Sequence, residues 1–200
     1  MLRIGVLISG RGSNLQALLD ACAGGRIDGG VVVVVSDRAD AAGLEKARRA
    51  GVEALFLDPA AYPTRHAYNQ ALARVLQERQ VELVCLAGYM RLVKRPLLEA
   101  FPGRILNIHP ALLPSFPGLD AQRQALEHGV KVTGCTVHFV TEGMDEGPII
   151  LQAAVPVLPN DTEESLSARI LTEEHRLYPE AVQLFAAGRL RVEGRRVILG

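Results

Sequence analysis

The chain has 200 residues, 48% hydrophobic and 22% charged, which excludes the disordered and fibrous classes and fits one globular domain. Lysine plus arginine and aspartate plus glutamate both total 22, so no net positive charge draws in nucleic acid by counterion release. Small anionic ligands stay open, since a balanced chain can still hold a local basic pocket.

Met1-Leu2-Arg3-Ile4 enters a strand-like run without a signal-peptide pattern. Apolar runs at Leu2–Ser9, Val31–Ser36, Glu53–Leu57, Val81–Ala87 and Arg104–Ile108 read as strands buried on both faces. Between them, Leu15, Leu18, Leu19 and Cys22 share one helical face, with Gly24-Gly25 as a stop. Tyr68, Leu72, Val75 and Leu76 share another after a Thr64 cap. Alternating strand and helix at this spacing predicts an α/β fold with a Rossmann-like, mostly parallel sheet flanked by helices. After Asn107 the pattern changes to a proline-rich loop, a short helix near Asp120–His128 and extended runs at Lys131–Thr141 and Pro148–Val157 that extend the sheet. A long helix is expected from about Thr162 to Ala187, with Asp161 and Glu164 spaced as N-cap and reciprocal partner. Arg189–Leu199 reads as a hairpin turning at Glu193-Gly194. With no repeat or linker, residues 1–200 are expected to be one domain, 1–108 forming a phosphate-binding half and 109–200 completing it. Cys22, Cys85 and Cys135 are odd in number and set among apolar residues, as expected of reduced thiols in a cytoplasmic protein. No apolar stretch approaches membrane-spanning length.

Three segments carry chemistry. Ser9-Gly10-Arg11-Gly12-Ser13-Asn14 lies where the first strand hands over to the first helix, and backbone N–H groups with the helix dipole there suit a phosphate. Leu15 stands where a dinucleotide fingerprint has its third glycine, and no Gly-Lys-Ser/Thr ending follows, so NAD and ATP are disfavoured. The bland alternative is a tight turn with Asn14 as helix cap. Asn107-Ile108-His109-Pro110 closes the fifth strand, and alternation puts Asn107 and His109 on one side. An amide donor beside an imidazole suits a developing oxyanion and a proton to be moved; alone, His109 also reads as a structural histidine. Thr141–Pro148 is an acidic, glycine-bearing loop that can return a carboxylate to His109, Asp145 being the better candidate, or be a solvated turn. His66 and His128 read as exposed helix residues, while His138, on a strand, reads as core or site.

Ile8-Ser9-Gly10-x-Gly12-Ser13-Asn14-Leu15, Leu86-Ala87-Gly88-Tyr89-Met90-Arg91, Asn107-Ile108-His109-Pro110-x-Leu112-Leu113-Pro114 and Val137-His138-Phe139-Val140 form an ordered series along nearly the whole chain. It closely resembles the phosphoribosylglycinamide formyltransferases of the formyltransferase family. That resemblance implies transfer of a formyl group from 10-formyltetrahydrofolate to the amine of glycinamide ribonucleotide in purine biosynthesis, without a metal. It implies Asn107, His109 and Asp145 as catalytic residues. Gly12, Ser13 and Asn14 would hold the ribonucleotide phosphate, and Glu174 its ribose or amine portion. Arg65, Met90, Arg91, Leu92, Val93, Asn107 and the loop Thr141, Glu142, Gly143, Met144, Asp145 would contact folate. Arg65, Arg91 and Glu174 also read as solvated helix or loop charges.

The partners implied are these two small molecules, with neither nucleic acid nor membrane, in a monomer or homodimer. Ser36-Asp37-Arg38 departs from the Ser-Asn-Arg or Ser-Asn-Lys of bacterial members. Formyltetrahydrofolate hydrolases share the Asn-x-His and distant Asp but commonly carry an extra N-terminal domain and have no use for the phosphate loop. Methionyl-tRNA formyltransferases resemble a longer chain, and a non-catalytic nucleotide-binding module is the alternative of another class.

Overall fold

The computed structural model describes residues 1–200. In chain order the elements are β1 (Leu2–Ile8), α1 (Ser13–Ala23), β2 (Gly29–Ser36), α2 (Ala42–Arg49), β3 (Glu53–Phe56), α3 (Arg65–Glu78), β4 (Leu83–Leu86), α4 (Arg95–Ala100), β5 (Ile105–His109), α5 (Ala121–His128), β6 (Val132–Phe139), β7 (Ile149–Pro156), α6 (Glu163–Ala186), β8 (Leu190–Glu193) and β9 (Arg196–Leu199). The nine strands make one sheet in the order β3-β2-β1-β4-β5-β6-β7-β9-β8. From β3 to β5 every pairing is parallel; β6 and β7 then run antiparallel to their predecessors. The expected hairpin is β8–β9, and it joins the main sheet through β9 alongside β7.

Buried strands become strands because they are rich in β-branched side chains. In β2 the run Val31–Val35 feeds both faces of the sheet, Val31 and Val34 on one side and Val33 and Val35 on the other. The larger core lies under α1, α2, α5 and α6, and the smaller lies under α3 and α4. Leu15 and Leu83 are fully enclosed; truncating such a leucine to alanine costs about 2–5 kcal/mol. Tyr178 on α6 is also fully enclosed, and its hydroxyl lies 3.0 Å from both the Leu86 and Leu106 carbonyl oxygens, bracing the ends of β4 and β5.

Two helices lie outside the apolar-periodicity reading. In α2 only Gly43, Leu44 and Ala47 are buried, and in α4, opened by Pro96, only Leu97 is; neither face is long enough to show a helical period. The α6 cap differs from expectation. Thr162 Oγ1 accepts from Ser165 N at 3.2 Å, and Ser165 Oγ accepts from Thr162 N at 2.9 Å, one position later than Asp161 and Glu164. Asp161 instead accepts from Leu158 N at 2.7 Å and from Arg169 at 2.7 and 2.8 Å. A carboxylate holding a bidentate guanidinium is no longer free to cap.

This topology positions the site. β1 has β2 on one side and β4 on the other, so the chain reverses its direction of sheet growth at β1 and opens a crevice at the strands' carboxyl ends. Ile105 faces the α3/α4 core, so alternation puts Asn107 and His109 on that same face. Cys135, Val137 and Phe139 face the opposite core, which sends Thr136 and His138 to the Asn107 side. The smaller core ends at β5, and loops rather than a helix cover the sheet beyond it.

Candidate active site

A cleft of about 630 Å³ lies over this exposed stretch of sheet, walled by Gly88–Val93, Gly118–Asp120 and Val140–Asp145. Asn107, His109 and Asp145 all line it. The proline-rich loop after β5 is pinned beneath by Thr136, whose hydroxyl donates to Ala111 O at 2.7 Å and accepts from Leu113 N at 3.1 Å. His109 is 4% exposed, and its Nε2 lies 2.7 Å from Phe116 O. A carbonyl only accepts, so Nε2 carries the proton and Nδ1 is the nitrogen facing Asp145 Oδ2, 3.5 Å away. Asp145 sits in left-handed backbone, φ 53°, and the same Oδ2 accepts from Gly118 N at 2.8 Å. One carboxylate therefore ties together the two loops that cover the cleft.

His138, left open between core and site by the sequence, belongs to this cleft. It pairs directly with Asn107 across the antiparallel β5–β6 ladder, and its Nε2 lies 3.2 Å from Asn107 Nδ2 and 3.7 Å from Asp145 Oδ1. Burial pushes its imidazole below the usual range, against the opposing pull of the Phe139 carbonyl and Asp145. Alternation within β6 gives only the face of His138; the β5–β6 register, which the sequence does not spell, sets it opposite Asn107.

Every residue the resemblance assigns to folate lines the same cleft: Arg65, Met90, Arg91, Leu92, Val93, Asn107 and Thr141 through Asp145. Thr64 caps α3 as expected, its hydroxyl accepting from Ala67 N at 3.1 Å, and so sets Arg65 in the first turn at the cleft edge. Arg91 lies over the Tyr68 ring, 5.4 Å from its centre, a cation–π contact. Asn69 fixes the wall behind, donating to Arg65 O and accepting from Lys94 N, both at 2.9 Å. Met90, Leu92, Leu119 and Met144 expose apolar surface around the mouth; a concave site with an apolar rim and a few convergent polar groups suits a flat, amphipathic ligand.

Gly12, Ser13, Asn14 and Glu174 form a second group beside the cleft. Ser9 joins the two: its N–H donates to Gly88 O at 3.2 Å and its hydroxyl accepts from Met90 N at 2.9 Å. Gly12, at φ 69°, is the N-cap of α1 and supplies no side chain to it, leaving the first-turn N–H groups without a side-chain cap. Asn14 is not the cap. Its Nδ2 donates to Glu174 Oε2 at 3.0 Å, while its Oδ1 is buried without a hydrogen-bond partner. Burial raises the Glu174 carboxyl above its usual range, and the Asn14 bond partly counters that. Asp37, the departure noted after β2, likewise encloses one carboxylate oxygen without a partner.

No group of three or more histidine, cysteine, aspartate or glutamate residues is arranged to hold a metal. No helix is long and apolar enough to cross a membrane.

The formyl transferase family model matches residues 2–182. Phosphoribosylglycinamide formyltransferase of Escherichia coli (strain K12) is 48% identical over 96% of this chain and 90% of its own length. Trifunctional purine biosynthetic protein adenosine-3 of Drosophila pseudoobscura pseudoobscura is 49% identical over 94% of this chain, which spans only 14% of that longer protein. Among solved structures, glycinamide ribonucleotide transformylase 1 from Symbiobacterium toebii superposes with a TM-score of 0.99 at 73% identity, covering 100% of this chain and 94% of that one. Agreement in sequence and in fold across nearly every residue leaves one assignment: the chain belongs to the formyl transferase family.

Proposed function

We propose that the chain transfers the formyl group of 10-formyltetrahydrofolate to the amine of glycinamide ribonucleotide, giving formylglycinamide ribonucleotide and tetrahydrofolate in purine biosynthesis. The observation that carries the reading is the meeting of Asn107, His109 and Asp145 in a cleft whose wall is hydrogen-bonded, through Ser9, to the loop that leads into an uncapped helix N-terminus. A cleft for an apolar, carboxylate-bearing donor thus adjoins a cradle for a phosphate.

The chemistry follows from these groups. The ribonucleotide amine attacks the formyl carbon, and negative charge builds on the formyl oxygen. The Asn107 amide and the His109 imidazole N–H meet that charge as preorganised donors. The bond from carbon to the folate nitrogen then breaks, and the proton released by the new ammonium passes to that nitrogen through the His109–Asp145 pair. His109 Nε2, which carries the proton, lies 2.7 Å from Phe116 O, and in this reading the formyl oxygen takes over that hydrogen bond as its charge builds. Gly12, Ser13 and Asn14 hold the phosphate with backbone N–H groups, and Glu174 holds the ribose or amine portion. Arg65 and Arg91 grip the glutamate carboxylates of the folate, while Met90, Leu92, Val93 and the Thr141–Asp145 loop pack against its rings.

Residues 1–200 act as one domain in this reading, 1–108 supplying the phosphate cradle and 109–200 completing the folate site. The protein works in the cytoplasm as a monomer or homodimer on two small molecules. The test is a folate-absorbance assay with 10-formyltetrahydrofolate, run with and without glycinamide ribonucleotide. Turnover strictly dependent on the ribonucleotide is expected. Folate release without it points to a hydrolase, and no release in either condition to a non-catalytic nucleotide-binding module.

A further inference from the structure

His138 sits on β6 directly opposite Asn107, is 2% exposed and has both ring nitrogens engaged. Its Nδ1 lies 2.9 Å from Phe139 O. That oxygen can only accept, so Nδ1 carries the ring proton and, in the neutral imidazole, Nε2 presents a lone pair. The amide group that can serve a lone pair is N–H, which fixes Asn107 with Nδ2 toward His138 at 3.2 Å and Oδ1 turned away. The second N–H of Nδ2 remains available to the cleft that Asn107 lines.

We propose that His138 is the positioning residue for the proposed reaction, acting as a neutral Nδ1–H imidazole that selects the amide orientation in which Asn107 offers an N–H rather than a carbonyl oxygen to the developing oxyanion. The inference rests on the reading of Asn107 as an oxyanion donor. An asparagine amide is nearly symmetric in shape, and rotation by half a turn about its last torsion exchanges donor for acceptor. In the wrong orientation Oδ1 would set a lone pair against the building negative charge. Packing cannot tell the two ends apart, whereas a hydrogen-bond acceptor can.

The surroundings keep the ring in this state. The charged and titratable groups facing His138 are Asp145, with Oδ1 at 3.7 Å from Nε2, and His109, which shares the same carboxylate through Nδ1 at 3.5 Å from Oδ2. Asp145 favours a charged His138, while burial and His109 oppose it, and the net direction is toward the neutral form. Two histidines around one carboxylate thereby divide the work. His109 faces the carboxylate through Nδ1 and the Phe116 carbonyl through Nε2, and His138 stays an acceptor toward Asn107.

The experiment joins a spectroscopic measurement on the wild-type enzyme to a mutant cycle. Nitrogen-15 NMR of the imidazoles should show the His138 Nδ1 protonated and Nε2 bare near neutral pH; the reverse pattern, or a doubly protonated ring, overturns the proposal. His138→Leu, which cannot accept a hydrogen bond, should lower kcat about 10²-fold with both KM values nearly unchanged, the size of losing one oxyanion donor. His138→Gln, whose Oε1 can accept from Asn107, should recover most of that loss. In the double variant with Asn107→Ala, His138→Leu should add nothing to Asn107→Ala alone, because the two act as one unit. An impaired Asn107→Ala enzyme combined with an additive or absent His138→Leu effect overturns the role of His138 alone. Wild-type kcat in Asn107→Ala itself overturns the reading of Asn107 and the proposal with it.

Discussion

Asn14 and Glu174, 160 positions apart in sequence, meet through a 3.0 Å hydrogen bond in which the amide donates to Oε2. The bond spans the packed pair α1 and α6 and holds a buried carboxylate against the helix start proposed to receive the phosphate. Fixing a carboxylate there costs desolvation energy, which shows in its raised pKa.

Glu174 should therefore act on stability and on binding in opposite senses. Its folded-state pKa is raised, so its favourable contribution is complete below the unfolded carboxylate pKa and is lost as pH rises through the folded value. Glu174→Gln removes that loss. Relative to wild type, the variant should gain in Tm as pH climbs out of the carboxylate range, while KM for the ribonucleotide rises about tenfold or more, the size of a lost hydrogen bond to a charged group. Thermal unfolding from pH 4 to 8 and steady-state kinetics check both; a pH-independent difference in Tm would refute the buried-carboxylate account.

Gly12 is required by backbone and by space. At φ 69° an alanine is strained by about 1–2 kcal/mol, and its Cβ would lie 2.7 Å from Gly43 Cα. Gly43 cannot retreat, because it donates its own N–H to Gly10 O at 3.0 Å. Gly12→Ala should lower Tm by several degrees, at about 2–4 °C per kcal/mol for a chain of this size, and weaken the ribonucleotide more than the folate. Calorimetry with titration of each ligand separates the two effects.

The parallel half was legible because its strands are buried on both faces and spell continuous apolar runs such as Val31–Val35. The Asn-x-His pair was legible because two-residue spacing at a strand end has one geometric meaning. The identity of the α6 cap was not, since Asp161, Thr162, Glu164 and Ser165 all have capping chemistry and only the bidentate Arg169 contact decides among them. The place of His138 was not legible either. Alternation gives the face of a residue within its strand, but the register of β6 against β5 goes with the single loop after β5 that Thr136 and Gln152 pin at Ala111 and Leu113.

Arg91 distinguishes a folate clamp from a surface charge. Its guanidinium is already ordered over Tyr68 at the cleft wall, so little side-chain freedom is left to lose on binding. Arg91→Ala should raise KM for 10-formyltetrahydrofolate about ten- to a hundredfold, as expected for a charge-assisted hydrogen bond, with kcat nearly unchanged. A donor lacking the glutamate tail should show little difference between the two enzymes. Equal losses for both donors would place the guanidinium elsewhere on the folate.

Asp145 combines a charge, a loop tether and a left-handed backbone in one residue, and two substitutions separate them. Asparagine tolerates φ 53° and keeps an oxygen for the 2.8 Å bond from Gly118 N, losing only the charge opposite His109. Alanine loses all three, leaving about 1–2 kcal/mol of backbone strain and an untied loop. Asp145→Asn should keep a near wild-type Tm while kcat falls about 10²-fold or more, the range for removing one partner in acid–base catalysis. Asp145→Ala should match that fall in kcat and in addition lose several degrees in Tm. If Asp145→Asn were as fully active as wild type, the carboxylate would be a tether for the two loops and nothing more.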